Sequence, residues 1–155
     1  MTQVIKAMKN LLIISCSKKK NKTKELLPAI ERYTGAWYQT INKLKKENKI
    51  PSNLDIVIIS AKYGFLKSTD LIEDYDQRMN EDRAKELNHE ILRKIGSILE
   101  KEHYETIFIN LGRDYLPAIY GLENIIPKNT KLFYARGRVG ERKRQMKEWI
   151  LSLKE

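Results

Sequence analysis

The sequence predicts a three-layer α/β/α sandwich built on a four-stranded parallel sheet. Four apolar runs of strand length occur, within residues 11–14, 54–59, 104–111 and 131–134. The first two are almost uninterrupted, which is typical of strands that are covered on both faces. Segments with helical periodicity separate the runs, and strands that alternate with helices form parallel sheets. At 155 residues, we expect a single α/β domain that spans residues 1–155.

Apolar residues three and four positions apart predict amphipathic helices after the first, second and fourth strands. Their apolar faces carry Trp37, Ile41 and Leu44, then Ala84, Leu87, Ile91, Ile95 and Ile98, then Val139, Met146, Trp149, Ile150 and Leu153. Residues 66–79 lie between the second strand and its helix, and we expect a long irregular connection there. Connections of this length are usually functional.

The composition favours a polyanionic partner. Lys and Arg number 30 against 20 Asp and Glu, which gives a net charge of +10. Nucleic acid and an anionic membrane surface are the candidates. The apolar runs are too short to span a membrane and residues 1–9 do not form a signal peptide, so we expect a cytoplasmic monomer without a membrane partner. One cysteine and two histidines give no metal-site spacing, and we expect no metal and no cofactor.

Polar residues follow the predicted strands, where ligands bind in α/β sheets. They are Ser15, Cys16, Ser17, Lys18, Lys19 and Lys20 after the first strand, Ser60, Lys62 and Tyr63 after the second, and Asn110, Gly112, Arg113 and Tyr115 after the third. Lysines contact phosphates, and the other side chains bind a base edge or stack on its face. The alternatives are a solvated charge run, ordinary turns and, for Cys16, a small half-buried residue.

Carboxylates in residues 66–79 are the candidates for chemistry. A carboxylate orients a water and stabilises the positive charge on a sugar whose C1–N bond is breaking. Asp76, beside Tyr75, is the first choice, followed by Asp70 and Asp114; the alternative is turn formation and helix capping. Lys18 is a candidate to activate Cys16 or, like Lys62, to form a Schiff base with an opened sugar. A Cys-His hydrolase is disfavoured because no histidine lies near the cysteine in sequence.

The last helix and the loop before it carry the densest positive charge. Six basic residues fall within residues 136–147: Arg136, Arg138, Arg142, Lys143, Arg144 and Lys147. Two glycines precede or open this helix, which suits binding of a phosphate at its N-terminus. We expect contacts to a nucleic-acid backbone here; the alternative is a solvated helix surface.

Several of these segments together resemble a family of small bacterial and phage proteins. The segments are Cys16-Ser-Lys-Lys-Lys20, Ala29 with Tyr33-Thr-Gly35, Ile59-Ser-Ala-Lys-Tyr-Gly-Phe-Leu66 and Tyr75-Asp76. That family has a Cys-Ser-x-x-Lys start and a Ser-Ala-Lys-Tyr-Gly-Leu turn, and the resemblance spans residues 10–120.

The family is distantly similar to the uracil-DNA glycosylase superfamily and to the lysine-containing domain of archaeosine synthase. Both resemblances imply a parallel α/β/α sandwich whose site lies at the carboxyl edge of the sheet. Some relatives look like DNA glycosylases directed against phage genomes with bulky modified bases. Here Ser15-Cys-Ser-Lys-Lys replaces the superfamily's Gly-Gln-Asp-Pro-Tyr motif, and Arg136-Gly-Arg-Val-Gly140 stands in place of its late His-Pro-Ser motif.

The leading hypothesis is therefore a monofunctional DNA glycosylase that removes a modified base from single- or double-stranded DNA. An alternative is a nucleoside or nucleotide N-glycosidase or a base-transfer enzyme, in which Lys18 and Lys62 hold a single phosphate. A further alternative is a binding module for modified nucleic acid without catalytic activity.

Overall fold

The computed structural model describes residues 8–153 and shows a five-stranded sheet with helices on both faces. The sheet contains β1 (Lys9–Ser15), β3 (Leu54–Ser60), β4 (Gly64–Lys67), β6 (Tyr104–Asn110) and β7 (Lys131–Tyr134), in the order β4-β3-β1-β6-β7. A separate two-stranded ribbon pairs β2 (Leu27–Pro28) with β5 (Leu71–Ile72). The helices are α1 (Ala29–Arg32), α2 (Ala36–Lys46), α3 (Glu81–Lys101) and α4 (Val139–Ser152), with short 3-10 turns at Leu116–Ile119 and Leu122–Asn124.

The central strand β1 is buried on both faces. Its four aliphatic residues, Leu11 to Ile14, are fully buried. Both of its edges pair in parallel, one with β3 and the other with β6. The chain therefore leaves β1 in one direction and later returns on its other side, which places the topological switch point at the carboxyl end of β1.

Successive side chains of a strand point to opposite faces of the sheet, so they contact different helical layers. Phe108 stacks on Trp149 of α4, and Asn110, two residues further along β6, contacts Met146 of the same helix. On the other face, α3 packs beside the turn into β4, where Gly64 lies next to Leu87. The sheet is thus covered on both faces, and the carboxyl ends of its four parallel strands lie at one edge.

The sequence predicts a sheet of four parallel strands, and this count was wrong because the sheet has a fifth strand, β4, that is not parallel. β4 runs antiparallel to β3 within a segment that the sequence assigns in part to an irregular connection, and β5 lies there as well. Gly64 adopts φ +75°, a conformation open to glycine, and this lets the chain reverse directly after β3. β4 begins at this glycine, directly after the turn, and its pairing depends on that turn rather than on an apolar run set apart by helices.

The predicted apolar stripe of α4 is correct except at its start. Met146, Trp149 and Ile150 are buried, whereas Val139 is 50 % exposed because it is the first residue of the helix at the open edge of the sheet. Within residues 8–153, none of the helices combines the length and apolar character that crossing a membrane requires. Most of the segment on which the signal-peptide expectation rests, residues 1–7, lies outside the described residues, as do residues 154–155.

A buried arginine holds the loop that follows the lysine cluster. Arg32 has no exposed surface, and its guanidinium donates hydrogen bonds to the carbonyl oxygens of Asn21 (2.7 Å), Thr23 (3.0 Å), Glu25 and Ile72 (3.1 Å). The last of these carbonyls belongs to β5. A single side chain therefore ties the loop to α1 and to the small ribbon.

Replacing Arg32 with methionine is expected to lower the free energy of unfolding by about 3 kcal/mol, because several buried carbonyls lose a charged donor. Chemical denaturation measures this difference. The matched control is Arg93→Met on the exposed face of α3, which should change stability by less than about 0.5 kcal/mol. Equal stability of the two variants would contradict the role assigned to Arg32.

Candidate functional site at the carboxyl edge of the sheet

The Ser-Ala-Lys-Tyr-Gly segment forms the turn between β3 and β4. The Ser60 hydroxyl oxygen accepts hydrogen bonds from the backbone N–H groups of Lys62 (3.2 Å) and Tyr63 (3.1 Å). Ala61 is fully buried, and a Cβ on Gly64 would lie 3.3 Å from a Leu87 methyl group. The residue types of this motif are therefore explained by the geometry of the turn.

The same serine oxygen connects two buried tyrosines. The Tyr33 hydroxyl donates to Ser60 Oγ at 3.3 Å, the Tyr75 hydroxyl lies 2.9 Å from it, and the two phenols also bond each other. Burial raises the pKa of both tyrosines, so the phenols stay neutral at physiological pH. The cluster holds the Tyr75 side chain in place, and Asp76 is the next residue along the chain.

The exit of β1 is held by α2. The Ser15 hydroxyl accepts a hydrogen bond from the Trp37 indole N–H at 3.1 Å, and Ser15 is buried. Ser17 Oγ donates to the carbonyl of Lys19 (2.6 Å) and accepts from the N–H of Gly35 (3.2 Å). A Cβ on Gly35 would lie only 2.7 Å from the Ser17 Cβ, so this close approach requires glycine.

A cavity of about 200 Å³ lies at this edge, beside the exit of β1. Three segments meet there: the residues after β1, the residues just before α3, and the turn after β6. The polar and charged side chains in its lining are Cys16, Ser17, Lys18, Lys20, Asp76, Gln77, Arg78, Asp114 and Tyr115. Of the four strand exits that were predicted to converge, those of β1 and β6 meet at this cavity, together with Asp76. Lys62 after β3, Arg113 and the residues after β7 are not part of its lining.

Cys16 and Tyr115 form one wall of the cavity. The Cys16 sulfur lies 3.1 Å from the Tyr115 hydroxyl, and only 7 % of Cys16 is exposed. Burial is the main cause that raises the pKa of the Tyr115 phenol. The Tyr115 phenol therefore stays neutral and is available for hydrogen bonding in this wall.

Lys20 supplies a buried amine to the opposite wall. Only 9 % of the residue is exposed, although the sequence predicts a solvated loop at residues 18–24. Its Nζ donates to the carbonyl of Lys18 at 3.2 Å and lies 4.6 Å from the centroid of the Tyr75 ring. Burial is the main cause that lowers the pKa of Lys20, and Lys22 acts in the same direction. Cys16, Asp74 and Asp76 raise this pKa and offset the lowering only in part.

Lys62 lies next to the tyrosine cluster but outside the lining of the cavity. Its Nζ bonds Glu73 at 2.6 Å and lies 5.7 Å from the centroid of the Tyr75 ring. The hydrogen bond with Glu73 raises the pKa of Lys62 and lowers that of the carboxyl group. This predicted substrate-binding residue is thus engaged in an ion pair.

Arg142 joins α4 to the end of β6 and to α2. Its guanidinium donates to Asn110 Oδ1 at 3.4 Å and lies 5.0 Å from the centroid of the Trp37 ring. Partial burial lowers its pKa. A Cβ on Gly112 would lie 3.7 Å from the same guanidinium. Arg142, predicted to contact phosphates, is therefore a half-buried contact between structural elements.

A basic groove of about 480 Å³ lies between α2 and α4. Its cations are Lys43 from α2 and Lys143, Arg144 and Lys147 from α4, and no carboxylate lines it. Arg144 Nε lies 4.0 Å from Glu148 Oε1 in an exposed ion pair. This distance is the longest among the ion pairs of residues 8–153. We refer to these residues, with Gln39, Thr40 and Gly140, as the basic groove.

Over residues 11–148 the sequence matches a family described as "Family of unknown function (DUF6884)". The chain belongs to this family. No curated protein matches it. A solved structure titled "Crystal structure of AF0587, a protein of unknown function" superposes with a TM-score of 0.52 at 14 % identity, over 96 % of this chain and 46 % of that one. The chain thus spans about half the length of that protein, and the likeness shows a shared fold.

Not every candidate of this DUF6884 chain lies at the cavity. Ser15, Ser60 and Asn110, predicted to bind substrate, are buried in structural hydrogen bonds. Asp70 lies at the far end of β4, where its carboxylate accepts the N–H of Lys67 at 2.8 Å, so the structure supports its turn-forming alternative. Four further predicted site residues are exposed and lie outside the cavity lining: Lys19, Arg113, Arg136 and Arg138.

Two features of the site were not predicted from the sequence. Lys43 is one of several lysines on the polar face of α2, and nothing in its spacing distinguishes it from the others. The burial of Lys20 arises from contacts with Tyr75, which lies 55 residues further along the chain.

Replacing Ser60 with alanine is expected to lower the free energy of unfolding by about 2 kcal/mol, because buried phenols and two N–H groups lose their acceptor. Urea denaturation measures the change. Ser97→Ala, at an exposed position of α3, is the control and should stay within about 0.5 kcal/mol of the wild type. A Ser60 variant as stable as this control would refute the role of the hydroxyl.

Proposed function

We propose that this protein is a DNA glycosylase that hydrolyses the N-glycosidic bond of a modified base and leaves an abasic site. The observation that supports this most directly is the small cavity at the carboxyl edge, which combines carboxylates and amines from three separate segments. The basic groove, which can bind phosphates, has α2 as one of its sides. The same helix is linked to the cavity, because Gly35, directly before α2, donates a hydrogen bond to Ser17 in the cavity wall.

The size of the cavity supports a single ring system as the group that enters. Its volume of about 200 Å³ is below the range of roughly 300–1,000 Å³ that is usual for pockets binding drug-sized molecules. Enzymes that act on a base in DNA rotate the nucleotide out of the helix into a small pocket. The rest of the polymer then stays outside, on the positively charged surface.

In the proposed reaction, Asp76 acts on water at the sugar. Its exposed carboxylate accepts a proton from water as the water oxygen attacks C1′, and the electrons of the C1′–N bond leave with the base. The negative charge of Asp76 also stabilises the cationic sugar while this bond breaks. Cys16 and Tyr115 offer hydrogen-bonding groups to the base, and Asp114 is the second carboxylate at the cavity.

The family resemblance supports the same class of reaction. The uracil-DNA glycosylase superfamily combines an α/β/α sandwich with a site at the carboxyl edge, and we propose a fold of this type here. A modified base is the proposed substrate. A bulky substituent of the kind found in phage genomes would stay outside the small cavity, and anti-phage defence is the setting this suggests.

Asp76→Asn is expected to reduce base release by a factor of about 100 to 10,000 while leaving DNA affinity nearly unchanged, because general acid–base catalysis contributes that much. The assay incubates a panel of unmodified and hypermodified DNAs with the protein and identifies released bases by mass spectrometry.

Asp70→Asn is the matched control for this experiment, because it makes the same chemical change away from the cavity and should leave base release intact. Equal loss of binding and activity in Asp76→Asn would count against its catalytic role. Base release from free nucleotides alone would indicate a nucleotide N-glycosidase. Binding with a steep salt dependence but no product would indicate a binding module.

Charge reversal in the basic groove is expected to weaken DNA binding and its salt dependence. Lys43→Glu and Lys147→Glu should each reduce the slope of log K against log salt by about 1, as the loss of a phosphate contact does. Lys128→Glu, on the turn before β7 at the opposite edge of the sheet, has the same change in charge and should alter the slope far less. Equal slopes for all three variants would exclude this groove as the path of the DNA backbone.

A further inference from the structure

The surroundings of the Lys20 amine indicate a second reaction at the same cavity. Its side chain is enclosed and its Nζ has a carbonyl and an aromatic ring as neighbours. Among residues 8–153, no carboxylate forms an ion pair with it, whereas nearby Lys22 and Lys62 are paired with Asp74 and Glu73. A lysine in such surroundings is suited to act as a nucleophile, because desolvation favours the neutral amine.

We propose that Lys20 attacks the abasic sugar as a Schiff-base nucleophile and that the protein is also a lyase that cleaves the DNA strand. This inference rests on the proposed glycosylase function, because the abasic sugar is the product of that reaction. It assigns to Lys20 a role for which the sequence offers Lys18 and Lys62 as candidates.

The structure separates Lys20 from these two lysines. Lys18 lines the cavity but its side chain is exposed to water. Lys62 lies outside the lining, and its hydrogen bond with Glu73 raises its pKa, which favours the unreactive ammonium form. For Lys20, burial acts in the opposite direction and lowers the pKa. Among these three amines, Lys20 alone is both buried and at the cavity.

The chemistry requires no further reactant. The Nζ of Lys20, as the free amine, adds to the C1′ aldehyde of the opened sugar. The resulting carbinolamine takes up a proton from water and loses a water molecule, which forms a protonated imine. A carboxylate at the cavity, for which Asp76 is the candidate, removes a proton from C2′. The electrons form a C1′–C2′ enamine and then expel the 3′ phosphate as the C3′–O bond breaks. Water finally hydrolyses the imine, which releases the unsaturated sugar and restores the amine.

The test uses an oligonucleotide that already contains one abasic site, so it does not depend on knowing the base. Borohydride added during the incubation reduces an imine to a stable secondary amine, and the covalent protein–DNA product is seen on a denaturing gel. Wild-type protein should give this product and a cleaved strand. Lys20→Met and Lys20→Arg should lose both, whereas Lys24→Met, at an exposed position of the same loop, should retain both.

Peptide mass mapping of the reduced wild-type product adds a test that does not depend on any variant folding. A sugar adduct on Lys20 supports the proposal; an adduct on Lys18, Lys62 or another lysine overturns it. Absence of any trapped product also overturns it. If bases are still released in that case, the glycosylase proposal stands and only the lyase proposal fails. A trapped product without base release would support the role of Lys20 and contradict the glycosylase proposal.

Discussion

The arrangement of this edge depends on the hydrogen bonds made by one hydroxyl oxygen, Ser60 Oγ. It accepts the N–H groups of the turn that reverses the chain after β3, and it bonds the phenols of Tyr33 and Tyr75. A buried polar network is stabilising only when the hydrogen-bonding groups of its members are satisfied. This network links Tyr33 after α1, Ser60 at the end of β3 and Tyr75 in the irregular segment before α3. The ring of Tyr75 is in turn the surface on which the amine of Lys20 lies.

The polar side chains that line the cavity are therefore supported by buried structural ones. Asp76 follows the anchored Tyr75, Ser17 is fixed against Gly35, and Cys16 contacts Tyr115 across the junction of β1 and the turn after β6. In the reaction proposed above, groups held in this way would act without rearrangement. This support also explains why several residues of the recognisable motifs do not face the cavity: they hold its wall in position.

Much of the architecture follows from the sequence because the strong signals are local. Continuous aliphatic runs such as Leu11–Ile14 predict buried parallel strands, and the strand ends predict the edge where polar residues meet. β4 was missed because its pairing depends on the conformation of Gly64 rather than on periodicity. The burial of Ser15, Asn110 and Lys20 was missed because it depends on contacts with Trp37, Arg142 and Tyr75, which are distant in sequence.

The way in which Arg32 holds its loop has an electrostatic consequence. Loops rich in lysine are often held by a carboxylate, which cancels part of their charge. Here the anchor is itself a cation that binds neutral carbonyl oxygens. Arg32 therefore orders the loop without adding negative charge, although Asp74 approaches the loop at Lys22, with 3.8 Å between the two charged groups. The positive potential around the loop is in this way supported by the same residue that maintains its shape.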